Sequence, residues 1–174
     1  MSFRLVEVVE VLERTPPALE HFLQGLSAAW TTENEGPDTW SVRDVLGHLI
    51  HGEDTDWIPR AKIILEQGED RVFDPFDGFA QFSRFSDWPI DRLLGRFTDA
   101  RAENLATLKN WNLTPAQLSL RGRHPDLGVV TLSELLATWA VHDLNHLAQI
   151  ARVMAKRCTA DVGPWKEFLP ILSR

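Results

Sequence analysis

The chain has 174 residues, of which 44% are hydrophobic and 25% charged, a composition typical of one globular domain over residues 1–174. Its 18 basic and 25 acidic side chains give a formal net charge of −7, so we expect neither nucleic acid nor a membrane surface as a partner. The single cysteine, Cys158, excludes an internal disulfide and a thiolate metal cage. We therefore expect a cytoplasmic protein in which any metal is bound through histidine and carboxylate.

Two helices are predicted near the start of the chain. Apolar residues recur at helical spacing over Phe3–Arg14, and Thr15 followed by Pro16 and Pro17 is typical of a helix that ends and restarts. The second helix is expected to extend to about Leu26. The proline pair is interpreted as a boundary because proline removes a hydrogen bond from a helix interior.

Longer helices follow. The segment Ser41–Gln67 begins at a capping serine, and Pro59 is expected to kink or break it after the fourth turn. A second amphipathic segment covers Pro89–Trp111, and the last helix runs from a capping box at Thr131–Glu134 to about Lys156–Arg157. No segment has a sustained strand pattern, so the predicted fold class is all-α, an up-and-down four-helix bundle with long connecting loops.

Two connections are longer than a compact bundle needs. The connection 113–130 contains Arg121, Arg123 and His124, which form either solvated surface or the rim of an anion site. The connection 69–88 has a phenylalanine at every third position, which argues against disorder. These rings either seal one end of the bundle or form the wall of a ligand pocket. They are Phe73, Phe76, Phe79, Phe82 and Phe85.

Chemistry is expected at histidines on two helices. His142 and His146 are four residues apart on the apolar face of the last helix, so two inward imidazole nitrogens can reach one metal ion. His48 lies on the flank of the earlier helix beside Gly52 and is the candidate third ligand, whereas His51 is expected to face solvent. The alternative is a set of core histidines satisfied by ordinary hydrogen bonds. A shared cation would satisfy three buried imidazoles at once.

Polar residues beside these histidines are candidates for supporting the metal. Asp143 either orients a ligand histidine, binds the metal itself, or forms an ion pair with an arginine of another helix. Glu53 and Gln149 are further candidates for holding the metal or a bound water. The His142–His146 stretch matches the H-E-x-x-H metalloprotease helix poorly, because Asp143 is one methylene shorter than the required glutamate; that interpretation would need Glu167 as third ligand.

Three stretches, taken together, resemble the DinB-like (YfiT-like) metalloenzyme superfamily. They are Trp40–Leu49, Arg123–Pro125 and Thr131–Ile150. The resemblance implies a four-helix bundle, often dimeric, with a divalent metal, typically zinc or nickel. It also implies that His48, His142 and His146 hold this ion and leave one position open for water or substrate.

The resemblance also implies an activity class. Characterised members include transferases that use low-molecular-weight thiols such as bacillithiol, and a mycothiol-dependent maleylpyruvate isomerase. We therefore expect a metal-dependent transferase with a low-molecular-weight thiol as its small-molecule cosubstrate. The alternatives are a metal-dependent hydrolase that uses metal-bound water, and a non-catalytic metal-binding stress-response module. A homodimer is expected, and Val141 and Leu144 on the outer side of the last helix suit a partner surface.

Overall fold

The computed structural model describes residues 3–173. Its helices are α1 (Leu5–Leu23), α2 (Ala28–Thr32), α3 (Val42–Thr55), α4 (Trp57–Glu66), α5 (Gln81–Arg84), α6 (Ile90–Asn110), α7 (Pro115–Leu118) and α8 (Leu132–Arg157). Strands β1 (Arg121–His124) and β2 (Gly128–Thr131) precede α8, and short 3-10 turns cover Gly68–Asp70, Gly163–Phe168 and Pro170–Leu172. The predicted four-helix bundle is confirmed, with α3 and α4 together forming one of its members. No helix within residues 3–173 is both long and apolar enough to cross a membrane.

The two helices predicted at the start of the chain are a single helix. α1 continues through Pro16 and Pro17. Because Pro16 has no N–H, the carbonyl of Leu12 loses its partner within the helix. Arg101 of α6 donates from Nη1 to that carbonyl at 2.9 Å. A hydrogen bond from another helix thus replaces the missing one, which the local pattern of α1 could not indicate.

The break predicted in the Ser41–Gln67 segment is confirmed and lies at Asp56. α3 begins with a capping box in which Ser41 Oγ accepts from the Asp44 amide and the Asp44 carboxylate accepts from the Ser41 amide. It ends at Thr55, and Asp56 has φ −108° and ψ −70°. Pro59 lies in the first turn of α4, where its missing N–H would have no helical partner. Asp56 therefore lies at a junction between helices.

A β-hairpin between α7 and α8 corrects the expectation of a chain without strands. β1 and β2 pair antiparallel, with Arg121 opposite Thr131 and His124 opposite Gly128. Gly128 has φ +75°, a conformation that glycine adopts without steric cost. Neither strand alternates apolar and polar residues, since β1 reads Arg-Gly-Arg-His and β2 reads Gly-Val-Val-Thr, so the strand pattern is absent from both.

The hairpin fixes the phenylalanine-rich connection against the bundle. The amide of Phe73 donates to the carbonyl of Arg123 at 2.9 Å. A Cβ atom at Gly122 would lie 2.6 Å from Ile64 and 2.9 Å from the ring of Phe73. Glycine at this position therefore lets β1 lie directly against α4 and Phe73.

A polar layer divides the apolar core. One apolar cluster joins α1, α4, α6 and the first half of α8, and a second joins α1, α3, α6 and the second half of α8. Buried polar side chains occupy the positions between the two clusters on three of these helices. They are His48, His51 and Glu53 of α3, Arg101 of α6, and Asp143 and His146 of α8. The outer face of α8 carries Val141 and Leu144, 62% and 51% exposed, and the homodimer stays a prediction.

Candidate metal centre

Three histidines meet at the polar layer. His48 comes from α3, and His142 and His146 come from successive turns of α8. The Nε2 atom of His142 lies 3.2 Å from that of His48 and 3.1 Å from that of His146. One ligand atom from each ring lies within 4.8 Å of the other two. The structure therefore brings together the histidines that the sequence singles out.

These nitrogens fit a cation better than they fit one another. A ring nitrogen offers one N–H or one lone pair, so His142 Nε2 cannot make good hydrogen bonds to both neighbours. A cation roughly 2.0–2.1 Å from tetrahedrally arranged nitrogens would place them about 3.3 Å apart. Two of the three separations, 3.1 Å and 3.2 Å, are close to that value, and all three ligand atoms lie within 4.8 Å of one another. The donor set therefore fits a divalent metal, and imidazole suits zinc and nickel alike.

Burial keeps the three imidazoles neutral. Desolvation and, secondarily, the neighbouring histidines lower the pKa of His142 to about 3 and the pKa of His48 to about 4. Desolvation also lowers the pKa of His146, and its hydrogen bond to Gln149 partly opposes that change. Neutral imidazole is the form that binds a metal. At pH 7 the rings are therefore in the state that metal binding requires.

Gln149 fixes the tautomer of His146. The His146 Nδ1 atom donates to Gln149 Oε1 at 2.7 Å. With the proton on Nδ1, the Nε2 lone pair faces the other histidines. The Trp40 indole lies nearly parallel to the His146 ring, with centroids 6.3 Å apart, and 4.8 Å from the His48 ring. Gln149 therefore orients a histidine, and Trp40, which the sequence analysis used only as the start of a family-resembling stretch, covers the site.

Asp143 and Glu53 bind an arginine instead of the histidines. Arg101 donates to the two oxygens of Asp143 at 2.6 Å and 2.9 Å, and from Nε and Nη2 to Glu53 Oε1 at 3.1 Å and 2.8 Å. Glu53 also accepts from Trp139 Nε1 and from Asn104 Nδ2, both at 2.9 Å. Of the roles considered for Asp143, the ion pair with another helix is the one found. Both carboxylates are thus committed to buried partners.

Arg101 connects all four members of the bundle. It lies on α6 and bonds Leu12 of α1, Glu53 of α3 and Asp143 of α8. Glu53 shares α3 with His48, and Asp143 lies between the other two histidines on α8. The arginine therefore fixes the two histidine-bearing helices relative to each other.

His51 is buried, which corrects the expectation that it faces solvent. Its residue exposure is 7%, and Arg84 donates to its Nδ1 at 2.8 Å. The ring of Phe76 lies 4.9 Å away, centroid to centroid. Both covering residues follow α4, so the periodicity of α3 could not reveal them. His51 is outside the group of three converging rings.

A cavity of about 380 Å³ lies beside His48 and His142. Phe76 meets the His48 ring edge to face at 5.4 Å, and Trp57 meets the His142 ring at 5.1 Å. Four further apolar side chains line the cavity; they are Phe73, Leu127, Val130 and Leu135. Five polar or charged side chains and Gly78 complete the lining; the five are Asp56, Arg60, His124, Glu134 and Thr138. The pocket interpretation of the phenylalanine-rich connection therefore applies to Phe73 and Phe76.

The other residues of the two long connections have different roles. Phe85 is buried in the second apolar cluster, whereas Phe79 and Phe82 are 69% and 43% exposed. Arg121 and Arg123 both lie against Glu69, at 3.2 Å and 3.9 Å, so neither forms the free rim of an anion site.

An ion pair between Asp56 and Arg60 lines the same cavity. Asp56 Oδ1 lies 2.5 Å from Arg60 Nε, and both residues are buried. Desolvation raises the pKa of Asp56 to about 6, although Arg60 opposes the rise. Desolvation, with a smaller contribution from Arg60, lowers the pKa of His124, which also lines the cavity. Sequence reasoning missed this pair; an Asp and an Arg four positions apart across the predicted helix break were the available signal.

Comparisons with known proteins agree with this architecture. The structure is similar to that of YfiT from Bacillus subtilis, with a TM-score of 0.74 and 23% sequence identity over 88% of this chain and 86% of YfiT. YfiT is described as a probable metal-dependent hydrolase with an unusual four-helix bundle topology. TT2238, a four-helix bundle protein, is similar with a TM-score of 0.57 and 19% identity over 85% of this chain and 98% of its own. No curated protein sequence matches the chain significantly. The sequence matches the DinB superfamily over residues 11–150, which include all three histidines, and the chain therefore belongs to that superfamily.

Proposed function

We propose that this protein is a metal-dependent hydrolase whose three histidines hold a divalent ion at the end of an apolar cavity. The observation that carries the proposal is the convergence of His48, His142 and His146 beside a cavity of about 380 Å³. Catalytic zinc sites have three protein ligands and an open position, whereas structural sites are closed by a fourth. Among residues 3–173, the metal-binding group contains only these three side chains.

A divalent cation held there supplies Lewis acidity and lowers the pKa of a water or thiol ligand, so that a nucleophile is available near neutral pH. The chain's own residues supply the remaining requirements. Gln149 orients His146, and Trp40 and Phe76 cover the histidine rings. Asp56, with its pKa raised to about 6, can take up or release a proton at its carboxyl oxygen within the cavity.

The comparison with YfiT supports hydrolysis in particular. That protein is described as a probable metal-dependent hydrolase and has the same fold. The cavity is suited to a small neutral substrate, because much of its wall is apolar.

A second candidate is transfer of a low-molecular-weight thiol, which a second groove favours. A groove of about 480 Å³ runs along α8 and is bounded by Asn145, Gln149, Arg152 and Pro170. Gln149, which bonds His146, is the residue that this groove shares with the metal centre. A reaction with two substrates needs a second binding site, here for the thiol cosubstrate. The thiol would come from outside, because Cys158 lies at the end of α8.

The two candidates are distinguished by one set of assays on zinc-loaded and nickel-loaded protein. Neutral 4-nitrophenyl esters report hydrolysis, and 1-chloro-2,4-dinitrobenzene with bacillithiol or cysteine reports thiol transfer. His142→Ala should abolish the activity, whereas His21→Ala, an exposed histidine of α1, should retain it. Ester hydrolysis without added thiol supports the first candidate, and conjugation without hydrolysis supports the second. Metal-loaded protein that catalyses neither reaction contradicts both and leaves the non-catalytic module.

A further inference from the structure

Resting on the proposed function, we propose a substrate class for the cavity. It takes molecules with an uncharged aromatic or branched apolar body and rejects those whose body carries a carboxylate. The reason is that Arg60, the one arginine or lysine that lines it among residues 3–173, is already occupied by Asp56.

The wall of the cavity selects an apolar body. Six of its lining side chains are apolar, and three of those are aromatic; they are Trp57, Phe73, Phe76, Leu127, Val130 and Leu135. A volume of about 380 Å³ is at the small end of the range for ligand pockets. Leu127, at the turn of the hairpin, is 74% exposed, and a Cβ at Gly78 would meet nothing within 4 Å. The opening therefore lies between the hairpin turn and the phenylalanine-rich connection.

The charges of the cavity reject anions. Arg60 pairs with Asp56 through Nε, donates from Nη2 to the carbonyl of Asp74 at 3.2 Å, and lies over the Phe73 ring at 5.3 Å. It is 7% exposed, so its contacts leave little of the guanidinium for a ligand. Glu134 adds a second acid whose pKa is lowered by its hydrogen bonds to Thr131. A substrate carboxylate that lies against the wall, away from the metal, would thus meet two acidic side chains and, among residues 3–173, no unpaired cationic side chain.

The neighbouring titratable groups do not change this balance near pH 7. Burial lowers the pKa of His124. The His124 ring is therefore neutral near pH 7, and the other two histidines that line the cavity are the proposed metal ligands. The charged side chains that line the cavity together with Asp56 are Arg60 on its own helix and Glu134 of α8, and Arg60 is the one in contact with the Asp56 carboxyl.

Three hydroxamates test the substrate class, because each binds a metal through the same group and differs only in its body. The probes are acetohydroxamate, benzohydroxamate and 4-carboxybenzohydroxamate, titrated calorimetrically into zinc-loaded protein. Benzohydroxamate should bind at least about tenfold more tightly than acetohydroxamate, since its ring is buried against the wall. The carboxylate analogue should bind at least about tenfold more weakly than benzohydroxamate.

Matched variants separate the wall from the charge. Phe76→Ala should remove most of the preference for the aromatic probe, whereas Phe79→Ala, on the same connection but outside the cavity, should retain it. Asp56→Asn frees Arg60 while preserving side-chain shape, so it should reverse the discrimination and favour the carboxylate probe. If that variant does not fold, the Phe76 and Phe79 pair still decides whether the wall binds the ring.

The outcomes distinguish this inference from the proposed function. Equal affinities for acetohydroxamate and benzohydroxamate would overturn the assigned wall, and wild-type preference for the carboxylate probe would overturn the charge rule. Either result leaves the metal site standing, because acetohydroxamate still binds. Failure of the protein to bind zinc, and hence any hydroxamate, would overturn the proposed function and this inference together.

Discussion

Replacing Arg101 with methionine removes the cation at the centre of the bundle. Arg101 is 1% exposed and bonds two carboxylates, Asp143 and Glu53, and the carbonyl of Leu12. Methionine keeps an apolar stem of similar length but offers no donor. Asp143, 0% exposed, would lose the partner of both its oxygens, whereas Glu53 would keep its bonds to Trp139 and Asn104.

The expected loss of folding stability in Arg101→Met is large for a protein of this size. Leaving a buried charge without its partner costs about 3–5 kcal/mol. Because Glu53 retains other donors, only Asp143 is left without a partner. We therefore expect the decrease in the free energy of unfolding to lie within that range, and not to reach twice that amount. Domains of this length lose roughly 2–4 °C in Tm per kcal/mol, so the Tm should fall by about 10 °C.

Urea unfolding of the metal-free protein, followed by far-UV circular dichroism, measures this change. Arg96→Met on the same helix is the matched control, because the Arg96 side chain is 35% exposed and pairs with Asp54 at 2.6 Å near the surface. An exposed pair of this kind contributes about 0–1 kcal/mol. A loss of stability in Arg101→Met no larger than that in Arg96→Met would refute the role of Arg101 as the buried partner of both carboxylates.

Three further predictions follow from the same structure. Gly122→Ala should lower the free energy of unfolding by about 1–3 kcal/mol, because the added Cβ overpacks the contact with Ile64 and Phe73. Gly95 lies in a helix with free space around it, so Gly95→Ala should raise thermal stability slightly. Equal melting curves for the two variants would contradict the close packing of the hairpin against α4. Gln149→Leu should weaken zinc binding about tenfold to a hundredfold in calorimetric titrations, because His146 loses the partner that fixes its tautomer; unchanged affinity would count against that role. The folded-state pKa values of His48 and His142 lie below the unfolded value of 6.5, so the unfolded chain binds more protons than the folded one. The stability of the metal-free protein should therefore fall as pH decreases from about 6.5 toward 4. Denaturation midpoints that stay constant over that interval would contradict the burial of neutral rings.

The features that sequence predicted are those with a local cause. A capping box at Thr131 and Glu134 fixes the start of α8 from four residues alone. The pairing of His142 with His146 follows from helical geometry, since residues four apart share a face. The position of His48 required one further step, the assignment of its helix face, and the structure places its ring where that step predicts.

The features that could not be predicted from the sequence depend on contacts between secondary-structure elements that are distant in the chain. Asp143 pairs with Arg101, and no pattern on α8 specifies the partner helix. α1 continues through Pro16 because the same arginine takes up the free carbonyl of Leu12. The burial of His51 likewise depends on a connection that folds back over α3. In each case the deciding contact joins residues far apart in the chain.

X-ray absorption at the zinc edge, recorded on protein loaded with one equivalent of zinc, tests the central claim most directly. We expect a zinc ion with about three imidazole nitrogens at roughly 2.0–2.1 Å and one further light ligand, and the loss of imidazole scattering in His48→Ala and in His142→Ala. A zinc ion surrounded mainly by water oxygen, or a spectrum that neither substitution alters, would contradict the three-histidine site.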